Sequence, residues 1–361
     1  MWLRDVPGVL TAEQQQGTAG AIAAWQLPSG MIPWFPGGHA DPWNHTEAAM
    51  ALSVAGLRSA AELAYDWLLA RQRPDGAWHR YETAVGVEED KLDANVCAYP
   101  ATGVWHHWLC FPDRGFAEAM FPMVDRAMQF VLGLQTPRGE ILWARHSDGT
   151  PWPFALLTGS SSISLSLRCA LALAAVVGVE RPAWQEASDR LLATIQAHAA
   201  GGIPDAFAPK QRWAMDWYYP VLVGALPRDA AVARLAGEAG RFILDDRGVR
   251  CVADQPWITA AETCECAMAY LRVGDDDRAL ALFRGAAALR DGGSGHYWTG
   301  RVYPATLEPI VNFPAEERST YTDAAVLLCA DALTGASPAA GLFTGATLPA
   351  EFDARASEGR H

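Results

Sequence analysis

The chain has 361 residues, half of them hydrophobic, and a formal net charge of −13. This charge disfavours nucleic-acid backbones and anionic membranes as partners, because both are negative themselves. No apolar stretch approaches the roughly 20 uninterrupted residues of a membrane span, and the first residues lack the pattern of a signal peptide. The odd number of cysteines, seven, favours reduced thiols over a disulfide framework, so we expect a cytoplasmic protein.

A Gly-centred turn recurs six times, each time after a segment with the pattern of an amphipathic helix. The six turns occupy residues 26–34, 72–78, 135–143, 196–207, 245–252 and 290–298. Their spacing of roughly 45 to 65 residues is in the range of helix-pair repeats with variable loops. The repetition therefore predicts an architecture built from helical hairpins.

Two kinds of helix alternate along the chain. Amphipathic helices are predicted at about 11–25, 58–71, 116–134, 182–198, 228–243 and 275–290. More uniformly apolar helices are predicted at about 44–56, 94–110, 159–178, 214–226, 260–272 and 321–334. A helix with one polar face lies at the surface, whereas a helix that is apolar nearly all round is buried on all sides.

Six surface helices alternating with six buried ones predict an all-α fold. We expect one (α/α)6 barrel, or toroid, of six helical hairpins over residues 1–361. Short strand-like pieces, such as 141–143 and 249–252, are expected to pair locally in the loops. The tail from about residue 335 is rich in Gly, Ala and Pro, and it is predicted to be peripheral.

The second turn carries the sharpest motif, Gln72-Arg-Pro-Asp-Gly76-Ala-Trp78. With the helix before it, this segment resembles the QW motif of terpenoid cyclases and protein prenyltransferases, which are α/α toroids. The resemblance implies that Gln72 and Trp78 tie an outer helix to its turn and that Gly76 lets the chain reverse. The same Gln-x-x-Asp-Gly-x-Trp string also resembles the turns of six-hairpin glycosidases, so it implies a fold and not one chemistry.

The sequence departs from both prenyl-chemistry families. Class II terpenoid cyclases use an Asp-x-Asp-Asp acid, and no such string occurs at the start of a predicted inner helix; Asp275-Asp-Asp277 opens an outer one. Protein prenyltransferases bind zinc through separated Asp, Cys and His residues, and their flanking sequences find no match here.

The loops that carry the Gly turns lead into the inner helices and should form one mouth of the barrel, where a pocket is expected. The inner helices begin with unusually polar and aromatic residues. The side chains predicted to bind or orient substrate are Asp41, Trp43, His45, Glu47, Asp93, Asn95, Trp217, Tyr218, Trp257, Glu265 and Tyr321. Helix capping, which is worth about 1 kcal/mol at each Asp or Asn, is the competing explanation. Capping does not explain the indole and phenol rings beside the caps.

Paired carboxylates in unlike surroundings are the groups that hydrolyse glycosidic bonds. Asp216 and Glu262 are predicted as the catalytic acid/base pair, because Trp213, Trp217 and Tyr218 should surround Asp216 and raise its pKa. Trp and Tyr faces would stack on sugar rings. Neither a cofactor nor a metal ion is expected.

Three functions remain open at this point. A mouth lined by carboxylates and indoles favours a glycoside hydrolase-like enzyme that acts on a sugar or glycoconjugate. A dry aromatic cavity would instead indicate a terpenoid cyclase- or prenyltransferase-like enzyme with an isoprenoid substrate. A mouth filled by its own side chains would indicate a non-catalytic toroid that binds a glycan or a protein. The sequence leaves the oligomeric state open.

Overall fold

The computed structural model describes residues 2–245, 247–303 and 311–345, and every structural statement below refers to these residues. The outer helices are α1 (Ala12–Trp25), α3 (Arg58–Arg71), α6 (Arg114–Leu132), α8 (Pro182–Ala199), α10 (Arg228–Phe242) and α12 (Asp276–Ala287). The inner helices are α2 (Pro42–Val54), α4 (Ala94–Ala98) with α5 (Pro100–Cys110), α7 (Leu157–Val177), α9 (Ala214–Leu222), α11 (Ala260–Val273) and α13 (Thr320–Thr334).

The inner helices form a closed ring. In the order α2, α5, α7, α9, α11, α13, each helix contacts the next, and α13 returns to α2. The outer helices pack around this ring, so the predicted all-α barrel of six hairpins is confirmed. The second inner helix is broken at Tyr99, because Pro100 has no backbone N–H with which to continue the helical ladder.

Backbone hydrogen bonds join the six loops at the end of the barrel where the inner helices begin. In chain order they run from Ala40 N to Glu82 O (2.8 Å), Ala94 N to Trp143 O (2.9 Å), Ala208 N to Ala155 O (2.9 Å), Ala214 N to Cys251 O (3.0 Å) and Thr320 N to Trp34 O (2.9 Å). Pairing of Ile258 with Arg301 joins the fifth loop to the sixth. This ring of bonds holds all six inner-helix starts around one mouth.

The Gly turns fasten neighbouring hairpins together. The amide nitrogen of Gln72 donates to Gly76 O and to Met123 O on the next outer helix, both at 2.9 Å, and Trp78 Nε1 donates to Leu68 O at 2.8 Å. Gly76 has φ +86°, and a Cβ there would lie 2.1 Å from the carbonyl oxygen of Arg126. The side-chain amides of Gln26 and Gln135 donate the same pair of hydrogen bonds, one to their own Gly turn and one to the next outer helix.

Short strands lie in the mouth loops, as predicted. A hairpin pairs β1 (Tyr81–Thr83) with β2 (Gly86–Glu89), and β3 (Leu92–Asp93) pairs with β4 (Ala144–Arg145). An antiparallel sheet joins β5 (Ile243–Leu244), β6 (Gly248–Arg250), β7 (Trp257–Thr259), β8 (Trp298–Val302) and β9 (Val311–Arg318). This sheet is more extensive than the local pairing expected around 249–252.

The opposite end of the barrel is covered by the first part of the C-terminal tail. Leu342 and Phe343 are buried in the core, and Arg272 donates to Phe343 O at 2.9 Å. The prediction of a peripheral tail is therefore too simple: residues 336–345 are partly integrated, and the later ones lie outside the described residues. Helix α7 is long and apolar enough to cross a membrane, but 83% of its most apolar window is buried inside the protein, as in a core helix.

Candidate active site

Asp41 organises the first side of the mouth. As the N-cap of α2 it accepts hydrogen bonds from the backbone nitrogens of Trp43 and Asn44 at 2.9 and 3.0 Å. It also accepts from Asn44 Nδ2 at 2.8 Å and from Trp34 Nε1 at 2.7 Å. The Trp34 ring meets Tyr321 edge-on, with 4.8 Å between ring centroids. Asp41 therefore caps its helix and also positions an aromatic wall.

Glu47 lies nearly two helical turns deeper than Asp41, at the centre of the ring of inner helices. One carboxylate oxygen accepts from Trp43 Nε1 at 2.8 Å and from the Tyr99 hydroxyl at 3.1 Å. The pKa of Glu47 is raised to about 7, mainly by burial and in addition by the charges of Asp41 and Glu262, while these two hydrogen bonds act in the opposite direction. Glu47 can therefore hold a proton close to neutral pH.

Glu265 and Glu262 reach the same cluster from α11. Glu265 is buried and accepts a hydrogen bond from the Tyr218 hydroxyl. Burial, followed by the charge of Glu47, raises the pKa of Glu265 well above its usual range. Glu262 is half-buried in the first turn of α11, and its charge acts on Glu47, Glu265 and Tyr321. The cluster thus contains two buried carboxyl groups, Glu47 and Glu265, and one half-buried carboxyl group, Glu262.

Within the described residues, only a small cavity lies beneath this cluster, and its lining side chains close the barrel axis. Its polar lining is Glu47, Glu265, Tyr99 and Tyr219, and its apolar lining is Leu222, Met268, Ala325, Leu328 and Phe343. The barrel axis is therefore filled below the carboxylates, so a substrate has to approach them from the mouth.

Asp216 lies in the first turn of α9 and is buried. Burial raises its pKa to about 6, against the positive charges of Arg234, His198 and Lys210. The predicted direction of the shift is confirmed, but the surroundings differ from the expected aromatic enclosure. Trp213 is 44% exposed, and the cations that act on Asp216 come from the outer helices α8 and α10 and from the loop before α9.

Asp93 and Asn95 begin the second inner helix. Asp93 caps α4 through the backbone nitrogens of Asn95 and Val96, at 3.1 and 3.2 Å. It also accepts from Arg80 Nη1 at 3.0 Å. Burial raises the pKa of Asp93, against the Arg80 charge. The Arg80 guanidinium interacts with Asp41 as well, so it connects two helix starts across the mouth.

Two predicted site residues point away from the mouth. Both ring nitrogens of His45 bond to backbone groups, Ile32 N at 3.1 Å and Ala64 O at 2.9 Å, and burial lowers its pKa to about 4. Trp217 stacks on Phe242 with 5.2 Å between centroids. Both side chains therefore tie inner helices to outer ones in this structure. Trp257 is half-buried at the start of β7.

Several mouth residues are absent from the predicted set. Arg80 and Tyr81 lie in the loop between the second Gly turn and α4, and Trp34 is the last residue of the first turn. Tyr99 and Tyr219 are among the polar and aromatic residues near the starts of the inner helices, but nothing in the sequence indicates that Tyr99 contacts Glu47 or that Tyr219 lines the cavity. Because the prediction rests on the starts of helices, the loop residues carry no comparable signal.

The fold and this cluster define the class of the protein: an (α/α)6-barrel enzyme whose mouth presents carboxyl groups and aromatic rings, as glycosidases do. Solved structures have the same fold. A wild-type glycosidase matches 90% of this chain and 97% of its own with a TM-score of 0.70 at 15% identity. The GH63 mannosylglycerate hydrolase from Thermus thermophilus, solved with glucose, matches 88% and 99% with a TM-score of 0.63 at 13% identity.

A curated relative narrows the class to a family. The MMP endo-(1,4)-3-O-methyl-alpha-D-mannosidase of Mycolicibacterium hassiacum is 50% identical over 345 residues, which cover 95% of this chain and 92% of the relative. The chain belongs to the family of this mannosidase and is a glycoside hydrolase that acts on a sugar substrate. No protein-family model matches the chain. Of the two resemblances that the Gly turns carry, these findings support the one to six-hairpin glycosidases.

Proposed function

We propose that the protein is an endo-acting hydrolase of α-(1→4)-linked chains of 3-O-methylated mannosyl residues. The observation that carries this proposal is the 50% identity to the curated mannosidase across almost the full length of both chains. The carboxyl groups and aromatic rings that surround the mouth support it, because they are the groups that bind and hydrolyse a polysaccharide.

For the chemistry we propose Asp216 as the proton donor and Glu262 as the general base or nucleophile. The raised pKa of Asp216, about 6, supports its assignment as an acid that keeps a proton in mildly acidic solution. The half-exposed position of Glu262 supports its assignment as the group that meets water or the anomeric carbon. The donor would protonate the leaving glycosidic oxygen while the other carboxylate attacks or activates water.

One observation favours a second assignment of the proton donor. Glu47, whose pKa is about 7, interacts electrostatically with Glu262, whereas the cations acting on Asp216 belong to the outer helices and the loop before α9. Glu47 with Glu262 is therefore the alternative acid/base pair. Arg80, Trp34, Tyr81 and Tyr321 would bind and orient the sugar, through hydrogen bonds from the guanidinium and contacts with the aromatic rings.

The proposed substrate is tested by the release of reducing ends from purified 3-O-methylated α-(1→4)-mannooligosaccharides. We expect release by the wild type, none by Glu262→Gln, and none by the wild type from an α-(1→4)-glucan of similar length. Wild-type release from the glucan alone would contradict the assigned substrate while leaving the hydrolase class intact.

A cytoplasmic location also remains a proposal. The seven cysteines are all free, which supports a reducing compartment. Fractionation of cells that express the full chain tests it, and recovery in the secreted fraction would contradict it.

A further inference from the structure

A second small cavity lies beside the mouth, between α4, the start of α7 and the segment 141–143. Its polar residues are Asn95 and Ser160, and the rest of its lining is Ala94, Ile141, Leu142, Trp143, Leu156, Gly159 and Ile163. It has room for about one water molecule or one methyl group. The proposed acid/base chemistry uses none of these residues.

Two polar atoms in the lining have no hydrogen-bond partner within the described residues. They are Asn95 Oδ1 and Ser160 Oγ, and their residues are only 5% and 1% exposed. Leaving a buried polar atom unpaired is unfavourable, so such atoms normally meet a ligand or a bound water. The Asn95 carbonyl oxygen can accept a hydrogen bond and the Ser160 hydroxyl can donate one, while the rest of the lining is apolar. The cavity therefore suits a ligand group that joins a small apolar part to polar oxygen atoms.

Residues that line the cavity are next to residues of the proposed sugar site. Asn95 follows Asp93, the partner of Arg80, and Trp143 contributes both to the cavity and to the hydrogen bonding of Asp93. Gly159 keeps the space open: a Cβ at this position would enter it, 3.6 Å from Asn95 Cβ and 3.8 Å from Leu156 Cβ.

We propose that this cavity is the subsite for the 3-O-methyl group of the substrate. The inference rests on the proposed function. The methyl group would contact Leu142 and Ile163, and the ether oxygen, which can only accept, would receive the Ser160 hydroxyl hydrogen. Asn95 Oδ1 would accept from the neighbouring free hydroxyl at C2. An unmethylated sugar would leave the apolar wall without contact and place a hydroxyl hydrogen against it.

The test compares kcat/KM for methylated and unmethylated α-(1→4)-mannooligosaccharides of equal length. We expect the wild type to prefer the methylated substrate. Gly159→Ala, which fills the cavity, and Ser160→Ala, which removes the donor, should each lower the ratio of the two kcat/KM values at least tenfold. The matched control is Gly237→Ala on α10, where a Cβ meets nothing within 4 Å; its ratio should equal that of the wild type.

Gly159→Ala should fold, because its Cβ makes ordinary contacts and alanine favours helix; thermal unfolding checks this. If both variants fold and keep the wild-type ratio, the cavity holds only water and the subsite is wrong, although the proposed function survives. If the wild type cleaves neither oligosaccharide, the proposed substrate fails and the subsite fails with it. Calorimetric binding of the two oligosaccharides to Glu262→Gln, with and without Gly159→Ala, should show the same loss of preference without turnover.

Discussion

The indole nitrogen of Trp43 donates to the carboxylate of Glu47, one helical turn further along α2, over 2.8 Å. The Tyr99 hydroxyl reaches the same oxygen from the second inner helix. Neutral donors thus hold a buried carboxyl group that has three other acids nearby, Asp41, Glu262 and Glu265. Such surroundings favour the protonated form, because burial penalises the charge and the neighbouring acids repel it.

Glu47→Gln should change how the stability depends on pH. The pKa of Glu47 rises from an ordinary 4.5 to about 7 on folding, so the folded state binds the proton more tightly. The wild type should therefore lose stability relative to Glu47→Gln as the pH rises from about 4.5 through 7, by about 3 kcal/mol in total. Urea unfolding at several pH values measures this. A difference that stays constant with pH would contradict the raised pKa, and the exposed variant Glu180→Gln serves as control.

Asp216→Asn and Glu262→Gln should each lower kcat by at least about 10³-fold, since the loss of an acid or base typically costs about 10² to 10⁴. The melting temperature should change little, because both replacements keep the shape of the side chain. An exposed matched variant, Asp254→Asn, should retain full activity. If Asp216→Asn stays active, Asp216 is not the proton donor. If it unfolds, its function is structural.

The two candidate proton donors can be separated by their neighbours. Tyr99→Phe removes a hydrogen bond that lowers the pKa of Glu47, so that pKa should rise. If Glu47 is the donor, the alkaline limb of the pH profile of kcat/KM should move upwards by about one unit, since a lost neutral hydrogen bond is worth about 1 kcal/mol. If Asp216 is the donor, the limb should stay near pH 6.

The Gly turns allow a test of the fastening between hairpins. Gly76→Ala should be more destabilising than Gly149→Ala, although both glycines have positive φ, +86° and +95°. A Cβ on Gly149 meets nothing within 4 Å, so that variant reports only the backbone strain, about 1 kcal/mol. A Cβ on Gly76 would overlap Arg126 O, which forces the next outer helix away. We expect an additional loss of roughly 2 kcal/mol or more in denaturant unfolding; equal losses would contradict the close approach.

The hairpins are predictable from the sequence because their signals are local. Gln72 is the C-cap of α3, and Gly76 has the positive φ that the turn requires. The hydrophobic periodicity of the helices distinguishes the solvent-exposed outer helices from the buried inner ones. The directions of side chains on the inner helices are not predictable in this way. Asp216, Trp217, Tyr218 and Tyr219 follow one another on a helix that is buried all round, so composition does not show which of them faces the axis. The structure turns Trp217 outwards and Tyr219 inwards.

The positions of His45 and Arg80 could not be predicted either, because sequence patterns do not show which way a side chain points. His45 sits two residues before Glu47 on α2, which turns it by more than half a helical turn, towards α3 instead of the axis. Arg80 belongs to a loop, and only the pairing of the first and second loops brings it between Asp41 and Asp93. Contacts between distant parts of the chain decide both positions.

The most direct test of the proposed activity is the size distribution of the products released over time from a long 3-O-methylated α-(1→4)-mannan. An endo-acting hydrolase should give oligosaccharides of intermediate length from the earliest time points, with wild-type enzyme and not with Glu262→Gln. Steady release of monosaccharide from one end, or an unchanged polymer, would contradict it.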